Sequence, residues 1–245
     1  MSDVTLEVSD HVAVLRLNAV ERRNALTPAM AADVVAAVDE VDRRPDVGAL
    51  VITGGPAFCA GGALGMLAAV YADPVATENF DAIDTVYRTF IRVGNAAPPT
   101  IAAVRGAAVG AGLNLALATD LRVVARDARL IAGFGRIGVH PGGGHFGLLA
   151  RVAGREATAA ATLFGEELSG QRAVDLGIAW TAVDDGAVEA TAYDLAHRVA
   201  QDPALARMMT ASFRRQANPP GLPWEVATEL ERAAQLWSFR RRADR

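Results

Sequence analysis

Not one lysine occurs in this chain of 245 residues; all 24 of its cationic residues are arginine. That excludes Schiff-base chemistry through a lysine side chain and any ammonium ligand for an anion. Cysteine is nearly absent too: Cys59 stands alone, so no intrachain disulfide can form. Four scattered histidines and one cysteine make no metal-ligand cluster, and no metal is expected. The net charge of −4 leaves no basic excess for nucleic acid or an anionic membrane. No apolar run reaches the roughly 20 residues that span a bilayer. The opening stretch, MSDVTLEVSD, carries acidic residues where a secretory signal needs basic and apolar ones. A soluble cytoplasmic protein is expected.

What is present is an apolar chain, 51% hydrophobic, suited to one globular domain or one domain with an appendage. Two kinds of segment alternate along it. VTLEVSDHVAVLRLN (residues 4–18) alternates apolar and polar positions on both sides of Ser9-Asp10, which predicts a hairpin. A helix follows, with Thr27 as its N-cap and Pro28 at its first position. GALVITGG (48–55) and TIAAVRG (100–106) are short, continuously apolar strands of the kind buried on both faces. A helix around residues 75–93 lies between them, and LRVVAR (121–126) and ARLIAG (128–133) continue the strands. Two short strands and a helix thus recur. From Gly143 onward the pattern is almost wholly helical. With no linker in sight, residues 1–190 read as the core and 191–245 as a helical cap or oligomerisation region.

One stretch asks for explanation: GAAVGAGLNLALATD (106–120) crowds small residues before an apolar helix, with Asn114 set inside it. A chain gives up side chains where something must approach its backbone closely. A strand ending at Gly106, small residues and a helix start would present free backbone N–H groups at a helix N-terminus. Preorganised donors of this kind contribute roughly 3 kcal/mol when charge develops on an oxygen. GGPAFCAGGALGML (54–67) has the same construction after the strand ALVITG. Two donors converging, one from each segment, would form an oxyanion hole. Either segment alone would also suit close strand–helix packing.

These segments resemble those of the enoyl-CoA hydratase/isomerase (crotonase) superfamily, over nearly the whole chain. ERRNALT (21–27) looks like the stretch lining the CoA groove, AFCAGGAL like the first oxyanion segment, and GAAVGAGLNLALATDLRVVA like the second; GFGRIGVHPGGG stands where the family has PExxLGxxPxxGG. The resemblance implies an α/β fold, a spiral of ββα repeats with a helical C-terminal region, assembled as a homotrimer or dimer of trimers. It implies an acyl-CoA ligand, with coenzyme A entering as part of the substrate and no separate cofactor. Carried over, the oxyanion donors would be the N–H groups of Gly62 and Ala111, with Gly110 just before the second. Arg22, Arg23 and Ala25 would fall on the CoA stretch, where a guanidinium can pair with phosphate. Ala60, Ala63 and Leu64 would border the thioester and pantetheine arm. Cys59 is most simply a small buried residue.

The departures concern proton transfer. Where hydratases of this family carry two glutamates, this chain has Asn114 and Phe134; the usual aspartate after the first oxyanion segment is Ala63, and another used by some members is Gly142. An amide cannot act as a general base, and phenylalanine cannot accept a hydrogen bond. His140, in GVHPGGGH, is the candidate replacement, with His145 behind it. Tyr87, Asp81 and Asp84 lie on the helix that usually borders the acyl pocket. Two readings stay open: an enoyl-CoA hydratase/isomerase-like enzyme with atypical acid/base residues, or a catalytically inactive acyl-CoA binding or carrier protein.

Overall fold

The N-terminal alternation becomes a hairpin in the computed structural model, which describes residues 2–216 and 223–243. β1 (Val4–Ser9) pairs antiparallel with β2 (Val12–Leu17). The turn falls on Asp10 and His11, one residue beyond the expected centre, and both have positive φ, 48° and 65°. Two successive positive φ values give a turn whose twist matches that of the strands it joins.

β2 begins a parallel sheet. β3 (Ala49–Thr53), β4 (Thr100–Val104), β6 (Leu121–Ala125) and β9 (Thr181–Val183) join it in the order β1-β2-β3-β4-β6-β9. Every residue of β3 and β4 is buried, as continuous apolar strands in a parallel sheet require. A second, smaller sheet contains β5 (Ala107–Val109), β7 (Arg129–Ile131) and β8 (Leu168–Ser169). Isolated bridges carry this second layer further, pairing Cys59 with Ala108 and Leu26 with Gly62.

The chain therefore repeats one movement. Each turn lays a strand in the large sheet, then a short extended piece in the small one, then a helix. Leu26 and α1 (Pro28–Arg43) follow β2; Cys59, α2 (Leu64–Ala72) and α3 (Thr77–Gly94) follow β3; β5 and α4 (Ala111–Ala118) follow β4; β7 and α5 (His145–Thr162) follow β6. This is the ββα spiral. Thr27 Oγ1 caps α1 by accepting from the Met30 N–H at 3.1 Å, with Pro28 at the first position. Met30, Ala31, Val34, Ala37, Val38 and Val41 bury the inner face of α1.

The stretch past Gly143 is less helical than its sequence pattern. It contains β8 and β9, of two and three residues, too short to display a period of two. Around them run α6 (Gly170–Asp175), α7 (Val188–Ala200), α8 (Pro203–Gln216) and α9 (Trp224–Ala243). Val188, Ala192, Ala196 and Ala200, spaced by four, are the buried face of α7, which packs on β2, β3, β4 and β6. The division expected at residue 190 falls inside this helix. α9 lies across α2, α3 and α5. Among the described residues no helix is long and apolar enough to cross a membrane.

Candidate functional site

The two small-residue segments meet. Residues 58–60 run beside β5: the Phe58 N–H donates to the Arg105 carbonyl (2.9 Å), Cys59 N–H to Ala107 (3.1 Å) and Val109 N–H to Cys59 (3.0 Å). A β-carbon on Gly112 would collide with the Cys59 carbonyl, so glycine is what lets the first turn of α4 lie against the first segment. From the other side, a β-carbon on Gly61 would stand 3.0 Å from the Val109 oxygen and 4.0 Å from the Ala111 nitrogen. Gly110 caps α4 with a φ of 52° and donates its own N–H to Ile131 at 2.9 Å. The N–H groups of Gly62 and Ala111 donate to no described residue, and both residues are half-buried. Backbone donors in that condition are normally satisfied by something. Cys59 is fully buried, and burial pushes its thiol up to about 12, so it stays protonated and inert.

The stretch expected to line the CoA groove is bonded directly to the first segment. Ala60 N–H donates to the Arg23 carbonyl (2.9 Å), Leu26 N–H to Gly61 (2.7 Å) and Ala63 N–H to Leu26 (2.9 Å). Asn24, between the arginines and Ala25, is buried with a φ of 56°. Its Oδ1 accepts from Ala19 N–H at 2.8 Å, while Nδ2 donates to the Gly54 and Ala57 carbonyls at 2.7 and 2.8 Å. It brackets the two loops together. Sequence reasoning passed over it, although asparagine is among the few side chains at home at positive φ. The two arginines separate. Arg22 pairs with Asp3 and, at 3.2 Å, with Glu21, and its Nε donates to the Ala25 carbonyl at 3.2 Å. The Arg23 side chain is exposed, and its guanidinium has no described partner. Leu64, next to Ala63 at the start of α2, is 83% exposed, a large apolar side chain facing outward at this groove.

Asn114 and Phe134 converge on His145. Asn114 is 1% exposed. Its Nδ2 donates to the Gly142 carbonyl at 2.9 Å, which leaves Oδ1 to accept from His145 Nδ1–H at 2.8 Å. With the proton fixed on Nδ1, His145 Nε2 accepts from the Thr162 hydroxyl at 3.0 Å. Burial lowers the His145 pKa to about 4, so the ring is neutral at physiological pH. The Phe134 ring meets it edge-on, centroids 4.9 Å apart, and lies 3.8 Å from where a β-carbon on Gly110 would be. Asn114 thus holds a neutral lattice together, and Phe134 covers the start of α4.

The remaining candidates lie around the glycine run. His140 is half-buried, with Nδ1 2.6 Å from the Pro141 carbonyl and its ring edge-on to Phe146 at 6.0 Å. A β-carbon at Gly142 would collide with Tyr87 Oη and Gln235 Nε2, so the volume an aspartate would need is already filled. Asp84 is ion-paired with Arg88 at 2.5 Å and with Arg232 at 3.0 Å, and Asp81 is exposed. At the N-terminus of α5, the Glu231 carboxylate accepts from the N–H groups of Gly144, His145 and Phe146 at 2.9, 3.2 and 3.2 Å. Sequence reasoning missed Glu231, because its partners lie 85 to 87 residues away and no local pattern marks it.

The enoyl-CoA hydratase/isomerase family model matches residues 7–238. A Mycobacterium tuberculosis protein described as a "probable enoyl-CoA hydratase" is 40% identical over 240 residues, covering 96% of this chain and 91% of that one. An Escherichia coli 1,2-epoxyphenylacetyl-CoA isomerase is 34% identical over 205 residues, covering 83% of this chain and 78% of that one. The crystal structure of an enoyl-CoA hydratase from a Polaromonas species superposes with a TM-score of 0.82 at 29% identity, covering 94% of this chain and 90% of that one. The chain belongs to the enoyl-CoA hydratase/isomerase family.

Proposed function

We propose that this chain binds an acyl-CoA thioester with its carbonyl oxygen between the backbone N–H groups of Gly62 and Ala111, and acts on it as a hydratase/isomerase-like enzyme with atypical acid/base residues. The observation that carries this reading is the pair of amides without described acceptors, set in two segments that the Cys59–Ala108 bridge joins. Oriented N–H donors at a helix start stabilise charge developing on a thioester oxygen. The neighbouring residues suit the rest of the ligand. Arg23 offers a guanidinium for phosphate, Leu64 an apolar surface for the pantetheine arm, and Ala25, Ala60 and Ala63 leave room for it.

Simple water addition is not what these side chains favour. Asn114 is held by Gly142 and His145, Phe134 is apolar, and His145 is neutral with both ring nitrogens engaged. Loss of a positioned general base removes about 10² to 10⁴ in rate. Crotonyl-CoA hydration, followed by the loss of the conjugated thioester absorbance, should therefore be at least about a hundredfold slower than in a glutamate-bearing relative measured alongside. Turnover at the relative's rate would overturn this reading. The engagement of Asn114 also favours a second reading, an acyl-CoA binding protein without turnover. Tight thioester binding with no product from any acyl-CoA tested would select it. Assembly as a homotrimer or dimer of trimers and a cytoplasmic location belong to the same proposal.

A further inference from the structure

Tyr87 is 5% exposed, and its hydroxyl is a buried polar atom with no hydrogen-bond partner among the described residues. Such a group normally finds a partner, because an unmade buried hydrogen bond is costly. Its ring is fixed from several sides. Phe90 lies 6.4 Å away, centroid to centroid; the Arg232 guanidinium sits 5.5 Å over its face; and Gly143 is so close that a β-carbon there would stand 3.1 Å from Cδ1. The hydroxyl itself points into the space that a side chain on Gly142 would take. The Gly142 carbonyl is in turn held by Asn114, in the first turns of the helix that begins at Ala111. An unpartnered O–H is thus aimed at the loop beside the proposed oxyanion helix, where some relatives are expected to carry an aspartate. Burial keeps the phenol protonated far above physiological pH, so it can donate and cannot serve as a base.

Resting on the acyl-CoA reading, we propose that Tyr87 is a specificity-determining residue: its O–H donates to an oxygen on the acyl group, and the site selects oxygenated acyl-CoA thioesters over plain alkyl ones. An aspartate at Gly142 would present an acceptor to the ligand; tyrosine reverses the polarity and presents a donor. The Gln235 amide shares the same small volume and is the far end of a flexible side chain. Its Nε2 donates to the His140 carbonyl at 3.3 Å, and entry of the acyl oxygen requires this side chain to turn aside. A site that hydrogen-bonds a substrate oxygen discriminates strongly against the analogue lacking it, because the buried donor is otherwise left unmade.

The test is calorimetric titration of the full chain and of Tyr87→Phe with butyryl-CoA, 3-hydroxybutyryl-CoA and 4-hydroxybutyryl-CoA. One of the hydroxylated thioesters should bind the natural chain at least about tenfold more tightly than butyryl-CoA. In Tyr87→Phe that preference should collapse to within about twofold, with butyryl-CoA affinity unchanged. The variant's melting temperature should be unchanged or raised, since a hydroxyl without a partner is removed; a purely structural role would lower it and leave selectivity alone. Equal binding of all three thioesters by the natural chain, or a preference that survives in Tyr87→Phe, overturns the role of Tyr87 and leaves the acyl-CoA reading standing. No binding of any thioester overturns both.

Discussion

Acidification should weaken this fold through one residue, His145. Its ring is fully buried, and burial lowers its pKa from an ordinary 6.5 to about 4. Above pH 6.5 the ring is neutral folded or unfolded, and its contribution to stability is complete. As the pH falls, the unfolded ring takes up a proton that the folded one refuses, so stability is lost progressively towards pH 4. With those two values the linkage amounts to about 2 kcal/mol between pH 8 and pH 5. Glu167, Asp185, Glu189 and Glu229 are lowered by their arginine partners, so their contributions are lost at more acidic pH. Glu231, raised by burial, acts in the opposite direction but is common to both proteins compared below, so the difference between them isolates the histidine. The assay is urea unfolding followed by circular dichroism at pH 5, 6, 7 and 8, for the natural chain and for His145→Gln. The variant should be less stable at pH 8, because Asn114 and Thr162 lose their partner, a cost of about 1–3 kcal/mol. It should also be less sensitive to acid, so the two curves converge by about 2 kcal/mol at pH 5. Parallel pH profiles would refute the reasoning, since they would mean that the folded ring titrates as the unfolded one does.

Two further substitutions address the groove. Arg22→Ala should lower the melting temperature, since Arg22 holds Asp3 and the Ala25 carbonyl, whereas Arg23→Ala should leave stability unchanged and weaken acyl-CoA binding by about five- to tenfold. That loss should vanish with an acyl-pantetheine lacking the nucleotide; an equal loss with both ligands would remove Arg23 from the phosphate site. Gly112→Ala should destabilise the chain by about 1–3 kcal/mol, although alanine ordinarily favours a helix over glycine, because its methyl meets the Cys59 carbonyl. An unchanged or raised melting temperature would contradict the close packing of the two segments.

The parts of the site legible in the sequence are those where local chemistry and three-dimensional role coincide. Thr27-Pro28 marks a helix start whatever the surroundings, and the glycine and alanine runs after ALVITG and TIAAVRG announce close approach because no other residues permit it. β3 and β4, in the middle of the large sheet, were equally plain, each a short and almost wholly apolar run. What stayed hidden depends on partners distant in sequence. Nothing around Asn114 reveals that its amide faces Gly142 and its carbonyl oxygen His145, 28 and 31 residues on. Nor does TELERAAQ announce that Glu231 caps another helix, or the three residues of β9 that they close the edge of the large sheet. His140 is the stronger candidate in the sequence because it lies in the segment where the resembled family carries catalytic groups. His145 is the one that touches both Asn114 and Phe134, and only packing could tell the two histidines apart.

The most direct measurement of the central claim, that two backbone amides receive a thioester oxygen, is titration of butyryl-CoA into the natural chain and into Ala111→Val. A branched side chain at the first position of α4 crowds the approach to the Ala111 N–H without removing any charged or polar group. Affinity should fall by at least about tenfold, as expected when a donor to a developing or partial charge is obstructed, with the circular dichroism spectrum unchanged. Near-equal affinity of the two proteins, both folded, would contradict a ligand site at Gly62 and Ala111.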